Sequence, residues 1–179
     1  MFEAVYKISK NYNVKLRVDA NGGWDVNQTI EMMDWLNNRD VDYIEQPLKE
    51  GKESDLKYIF DKRKMPIYLD ESCRYAKQIP LWDKYVDGIN LKLMKCGGIT
   101  EGLKIINSAR AHGLKTMIGC MGESSVSISA GCSIGALFDY IDLDSHFNLD
   151  PDPTSGATYI DGIVTPVNKP GHGAYFNNA

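Results

Sequence analysis

The sequence has 179 residues, 43% of them hydrophobic and 25% charged, a balance that suits one soluble globular domain of ordinary size. A net charge of −4 leaves no basic footprint for nucleic acid. No apolar run nears the roughly 18 residues that cross a bilayer, so neither nucleic acid nor membrane is an expected partner.

The opening MFEAVYKISKNYNV has no signal-peptide apolar core and reads as helical sequence leading into a strand. Strands are predicted over 14–19 (VKLRVD), 42–45 (DYIE), 66–70 (PIYLD), 88–93 (GINLKL), 115–119 (KTMIG) and 139–143 (DYIDL). Amphipathic helical stretches fall between them, near 27–38, 53–63, 75–84, 100–112 and 124–137. Asp25 with Gln28 makes a capping-box pattern, and Ser54 and Thr100 are read as N-caps. Gly97 and Gly98 are read as a tight strand-to-helix turn. The four cysteines, Cys73, Cys96, Cys120 and Cys132, form no CxxC and have no histidine at metal spacing. They are expected to be free thiols of a reducing cytoplasm.

Repeated strand–helix units imply a parallel sheet. Polar residues close successive strands at Asp19, Glu45, Asp70 and Lys92, one per unit of ~25 residues, as a (β/α)8 barrel requires. No GxGxxG follows a strand and no P-loop is present, which disfavours a doubly wound sheet. Six strands are predicted and a closed barrel has about eight, so the fold class is an incomplete TIM-type (β/α) barrel over residues 1–144. Residues 145–179, rich in Pro, Gly, Asp and Asn, are expected to form an irregular tail. The chain is expected to be the C-terminal part of a larger protein.

Side chains alternate across a strand. One parity is apolar: Val14, Leu16 and Val18; Ile44; Ile67 and Leu69; Ile89, Leu91 and Leu93. The other carries Arg17 and Asp19; Tyr43 and Glu45; Tyr68 and Asp70; Asn90 and Lys92. In a barrel the polar face points inward, towards the C-terminal mouth where barrel active sites sit. Asp19, Glu45 and Asp70 would then converge, and three close carboxylates repel one another unless a cation lies between them. Their oxygens suit Mg²⁺, a hard octahedral ion; the plainer alternative is a set of solvated strand-end acids. Lys92 would face the same mouth as a candidate base, its pKa lowered near a divalent cation, or would merely pair with Asp70 or Glu45. Lys95 has the other parity and is expected on the surface.

The motifs VDANGGW (18–24), YIEQPL (43–48), LDES (69–72) and NLKLMKCGG (90–98) resemble the muconate-lactonising subgroup of the enolase superfamily. The resemblance covers nearly the whole chain. It implies the C-terminal barrel domain, from about strand three to strand eight, without the N-terminal capping domain. It implies that Asp19, Glu45 and Asp70 bind one Mg²⁺ and that Lys92 is one of two acid/base lysines. That is the chemistry of a lysine base beside a divalent cation at an ene-diolate. The family's second lysine lies in a K-x-K motif that has no counterpart ahead of Asp19.

Asp142 and Asp144 are two residues apart, so both carboxylates share a face if the segment is extended. A pair of acids complements an ammonium, although a solvated acidic turn reads equally well from the residues. In dipeptide epimerases of this family, a D-x-D at the end of the last strand binds the substrate's free ammonium, and Asp142 and Asp144 match that position. GCMGESS (119–125) resembles the loop after strand seven, which makes Glu123 an expected polar substrate contact and Met121 part of the side-chain pocket. The implied activity is that of a Mg²⁺-dependent isomerase, a dipeptide epimerase of the Ala-Glu type. A muconate cycloisomerase or an o-succinylbenzoate synthase/N-acylamino acid racemase is the alternative within the subgroup. An inactive fragment is a further one, because the partner lysine is missing. A small-molecule dipeptide is the implied partner, and a homo-oligomer of the full-length enzyme is left open.

Overall fold

The computed structural model describes residues 1–177. Helix α1 (Phe2–Ser9) leads into β1 (Leu16–Asp19), α2 (Val26–Asn37) and β2 (Val41–Glu45). The units α3 (Leu56–Phe60), β3 (Ile67–Leu69), α4 (Ile79–Trp82) and β4 (Gly88–Lys92) follow. After β4 come α5 (Leu93–Cys96), α6 (Ile99–Ala111), β5 (Lys115–Gly119), α7 (Ser125–Gly135) and β6 (Tyr140–Ile141). The six strands pair in chain order, all parallel. No helix among the described residues is long and apolar enough to cross a membrane.

The sheet is strongly curled. In a flat sheet β2 and β6, four strands apart, would stand roughly 19 Å from each other. Yet the rings of Tyr43 and Tyr140 meet edge to face with centroids 5.4 Å apart. Tyr43 also stacks on Tyr68 at 4.0 Å, and its hydroxyl donates to Met117 Sδ at 2.8 Å. These groups fill the floor of the concave face. The floor needs Gly88, where an added Cβ would lie 2.3 Å from the Tyr68 ring.

The convex face carries the main core. Ile44, Ile67, Leu69, Ile89, Leu91 and Ile118 are buried there with Met33, Leu36, Ile59, Ile105 and Ile128 from the helices. Each such side chain contributes on the order of 2 kcal/mol by leaving water. Thus the apolar parity read from the sequence is the helix-facing one. Val14 is the exception: it precedes β1 and is exposed.

Local signals had mixed outcomes. The Asp25–Gln28 capping box forms, with Gln28 N–H donating to Asp25 Oδ1 at 2.8 Å and Asp25 N–H to Gln28 Oε1 at 3.0 Å. Ser54 is no N-cap, because a 3₁₀ turn over Glu53–Asp55 precedes α3. Thr100 lies inside the first turn of α6, whose N-cap is Gly98 in a positive-φ conformation (126°) closed to most side chains.

The last segment is less irregular than its composition implies. A 3₁₀ turn (Ser145–Asn148) is followed by β7 (Thr154–Ser155), β8 (Thr158–Ile160), β9 (Ile163–Thr165) and β10 (Tyr175–Phe176). β8 pairs with β9 and β7 with β10, both antiparallel. Asp152 ties this segment to α7: its carboxylate accepts from Ser125 N–H at 2.9 Å and Ser125 Oγ at 2.7 Å. The N-terminus of α7 is therefore capped from 27 residues further along the chain.

Candidate metal and acid/base site

The concave face gathers the polar parity at the C-terminal ends of the strands. Parallel register places Asp19 beside Glu45. Glu45 and Asp70 are linked through Gln46, a buried residue at positive φ. Gln46 Oε1 accepts from Asp70 N–H at 2.9 Å, and its Nε2 donates to Ser72 Oγ at 2.7 Å. Gln46 thereby pins the end of β2 to the turn after β3 and fixes the two acids relative to each other.

Asp19, Glu45 and Asp70 each offer a carboxylate oxygen within 4.8 Å of the other two. Glu45 is 6% exposed and Asp70 1%. Burial, reinforced by the charges of Asp19 and Asp70, pushes Glu45 up to about 7, although Asn90 Nδ2 donates to Glu45 Oε1 at 2.6 Å. Burial likewise raises Asp19, with Asp70 adding repulsion and the Asn21 N–H opposing it. Asn90 Oδ1, on the same side chain, is buried and has no hydrogen-bond partner among the described residues. Three clustered, partly buried carboxylates fit a divalent cation, and an all-oxygen set fits Mg²⁺. Asn90 fits only because residue 119 is glycine, where a Cβ would lie 2.8 Å from Asn90 Oδ1.

Lys92 closes β4 and its Nζ lies 2.5 Å from Asp70 Oδ2. Burial acts to lower its pKa, but the hydrogen bond it donates to Asp70 and the charges of Asp70, Glu45 and Glu71 outweigh it, and the net direction is upward.

Lys95 corrects the sequence reading outright. It is not a surface residue: its side chain is 6% exposed and it contacts Asp70 Oδ1. Strand parity ends at Lys92, because α5 begins at Leu93 and winds one helical turn. That turn brings Lys95 back over the carboxylate that Lys92 also meets.

A cavity of about 310 Å³ opens on this cluster, lined among others by Arg17, Asp19, Glu45, Lys92, Cys120 and Asp142. Asp142 lines this cavity and Asp144 does not, but the two acids and Cys120 offer ligand atoms within 4.8 Å of one another. Burial and the neighbouring Asp144 carboxylate raise Asp142, while Arg17 and Lys92 draw it down. Arg17, on the inner parity, lies over the Tyr140 ring at 4.4 Å and roofs the aromatic floor.

Glu123 and Met121 lie in the loop between β5 and α7. Glu123 is 4% exposed, and its carboxylate is held by its own loop: Met121 N–H donates to Oε1 at 3.0 Å and the Ser127 hydroxyl to Oε2. It shapes the loop and does not line the cavity. Met121 is exposed and likewise off the cavity wall. Among groups the sequence reading left without a role, Arg17 and Asn90 had a signal in their inward parity. Gln46 and Lys95 lie beyond strand ends and had none.

A family model described as "Enolase C-terminal domain-like" matches residues 1–179. The hydrophobic dipeptide epimerase of Flavobacteria bacterium (strain MS024-2A) is 63% identical over 175 residues, covering 98% of this chain and 50% of that protein. The structure of the dipeptide epimerase of Cytophaga hutchinsonii, complexed with Mg and the dipeptide D-Ala-L-Val, is similar with a TM-score of 0.84. It is 30% identical over 92% of this chain and 46% of that one. The substrate-liganded L-Ala-D/L-Glu epimerase of Bacillus subtilis gives a TM-score of 0.83 and 32% identity, over 90% of this chain and 47% of that one. The chain spans about half the length of the curated relatives it matches. It belongs to the enolase C-terminal domain-like family.

Proposed function

We propose that this chain supplies the metal and acid/base half of a Mg²⁺-dependent dipeptide epimerase. One observation carries the reading: Asp19, Glu45, Lys92 and Asp142 line one cavity, and the buried Asp70 completes the carboxylate cluster beside it and meets Lys92. Asp19, Glu45 and Asp70 would hold the ion. When bound, the ion supplies positive charge against which a substrate carboxylate and the enolate derived from it are stabilised. Lys92, as the neutral amine left once its ammonium has released a proton to solvent, takes the proton from the carbon α to that carboxylate and becomes the ammonium, while the C–H electron pair moves into the carboxylate as an enolate. Asp142 and Asp144 bind the substrate's free ammonium and so align the α-carbon over Lys92. Inversion needs a second acid/base group on the opposite face; among the described residues, Lys92 is the lysine that lines the cavity.

The relatives bear on the substrate. A protein named for hydrophobic dipeptides shares 63% identity with this chain, whereas one named for L-Ala-D/L-Glu shares 32%. An apolar C-terminal residue is therefore favoured over the Ala-Glu type. Four free cysteines, three of them buried, support a reducing cytoplasmic setting. The test is an epimerisation screen with the protein extended to its relatives' length, using dipeptides with apolar and acidic C-terminal residues beside N-succinylamino acids. Turnover of apolar dipeptides is expected. Turnover of N-succinylamino acids alone would move the activity to another member of the subgroup.

A further inference from the structure

We propose that Lys95 is a positioning residue that locks Asp70 as a cation ligand, whereas Lys92 on the same carboxylate is a replaceable occupant. The inference rests on the metal site read above and concerns a residue that reading does not use.

The two lysines hold Asp70 differently. The Lys95 ammonium meets three acceptors: Asp70 Oδ1, the Asp70 carbonyl at 2.6 Å and the Asn90 carbonyl at 3.1 Å. An ammonium has three N–H donors, so Lys95 has none left for a substrate. Two of its acceptors are backbone oxygens, one after β3 and one within β4. Through Lys95, Asp70 Oδ1 is thus tied to the frame of the sheet, which stops the carboxylate from rotating and leaves Oδ2 presented to the cluster. Lys92 meets Asp70 only through Oδ2 and lines the cavity. A divalent cation taking Oδ2 would displace Lys92 towards the cavity it lines and leave Lys95 in place. Leu93–Cys96 makes this possible by turning helically at once after β4, and positive-φ glycines at 97 and 98 return the chain to α6.

The two lysines also differ in the sign of the effect expected on removal. Charge alone predicts that deleting either cation tightens binding of a divalent ion. Loss of a positioning partner predicts the opposite, typically by about 10–100-fold in metal affinity. Mg²⁺ is titrated calorimetrically into the wild-type chain and into Lys95→Met, Lys92→Met and Glu45→Gln, each checked for folding by circular dichroism. The expected result is weaker binding in Lys95→Met by about tenfold or more, and no weakening in Lys92→Met. Equal or tighter binding in Lys95→Met overturns the proposal. If Lys95→Met does not fold, Lys95→Arg replaces it. Arg keeps the charge but cannot converge three donors on one point, so a smaller loss of the same sign is expected, and unchanged affinity overturns the proposal. A wild-type chain that binds no Mg²⁺, or binding unaffected by Glu45→Gln, defeats the metal-site reading itself and this inference with it.

Discussion

Asp152 and Ser125 lie far apart in the sequence, yet the carboxylate of one caps the helix that begins at the other, 2.9 Å from its backbone N–H. The same carboxylate accepts from Thr154 N–H and Oγ1, both at 2.8 Å. A single acidic side chain therefore joins the last segment to the wall of the barrel.

That clasp is acid-sensitive. Burial opposes ionisation of Asp152, but the Ser125 and Thr154 donors prevail and pull it down to about 2. A depressed folded-state pKa contributes stability above the unfolded value near 3.8, lost as pH falls towards 2. Asp152→Asn should lower stability by about 1–2 kcal/mol at neutral pH and flatten the acid limb of the melting curve between those values. Thermal melts of both proteins from pH 5 to pH 2 check this.

Glu45 acts with the opposite sign. Its folded-state pKa is raised from 4.5 to about 7, so the native state binds the extra proton. Without a bound cation, stability should be greatest below pH 4.5 as far as Glu45 is concerned, and fall by on the order of 3 kcal/mol as pH rises to about 7. Glu45→Gln should remove that slope. Saturating Mg²⁺ should reverse it, because binding requires the deprotonated carboxylates. Denaturant titrations across this range, with and without Mg²⁺, measure both effects.

Gly88 tests the aromatic floor. Gly88→Ala places a methyl group against the Tyr68 ring, so Tyr68 must leave its stack on Tyr43. The expected cost is about 1–3 kcal/mol. It appears as a lowered melting temperature together with a changed near-ultraviolet tyrosine signal.

Asp142→Asn and Asp144→Asn test recognition of the amino terminus. Each should raise KM for dipeptides by about tenfold or more, the cost of losing one charged partner of an ammonium. Each should also narrow the preference for free over N-acetylated dipeptides. Steady-state kinetics on matched substrate pairs show whether KM carries the change.

Much of this arrangement was legible because strand periodicity is strict. Alternation separated Leu69 from Asp70 and Leu91 from Lys92, and spacing put the polar members at one end of the sheet. Legibility stopped where the chain left the strand. Alternation carried past Lys92 puts Lys95 on the surface, but the backbone has already turned helical there. Gln46 adopts a positive φ of 35° just beyond β2, a conformation that alternation does not describe. The loop contacts of the Glu123 carboxylate, from Met121 N–H and the Ser127 hydroxyl, likewise leave no mark in strand alternation. The Asp152 clasp depends on where a distant helix begins, and composition carries no trace of that.

The role of Lys92 is tested most directly by exchange of the substrate's α-proton in deuterated water. The protein is extended to its relatives' length, and each epimer of an apolar dipeptide is followed separately by NMR. Lys92→Ala should lower exchange from one epimer by about 10²–10⁴-fold while the other still exchanges, because Lys92 serves one face of the α-carbon. Undiminished exchange from both epimers would contradict the assignment of Lys92 as an acid/base group.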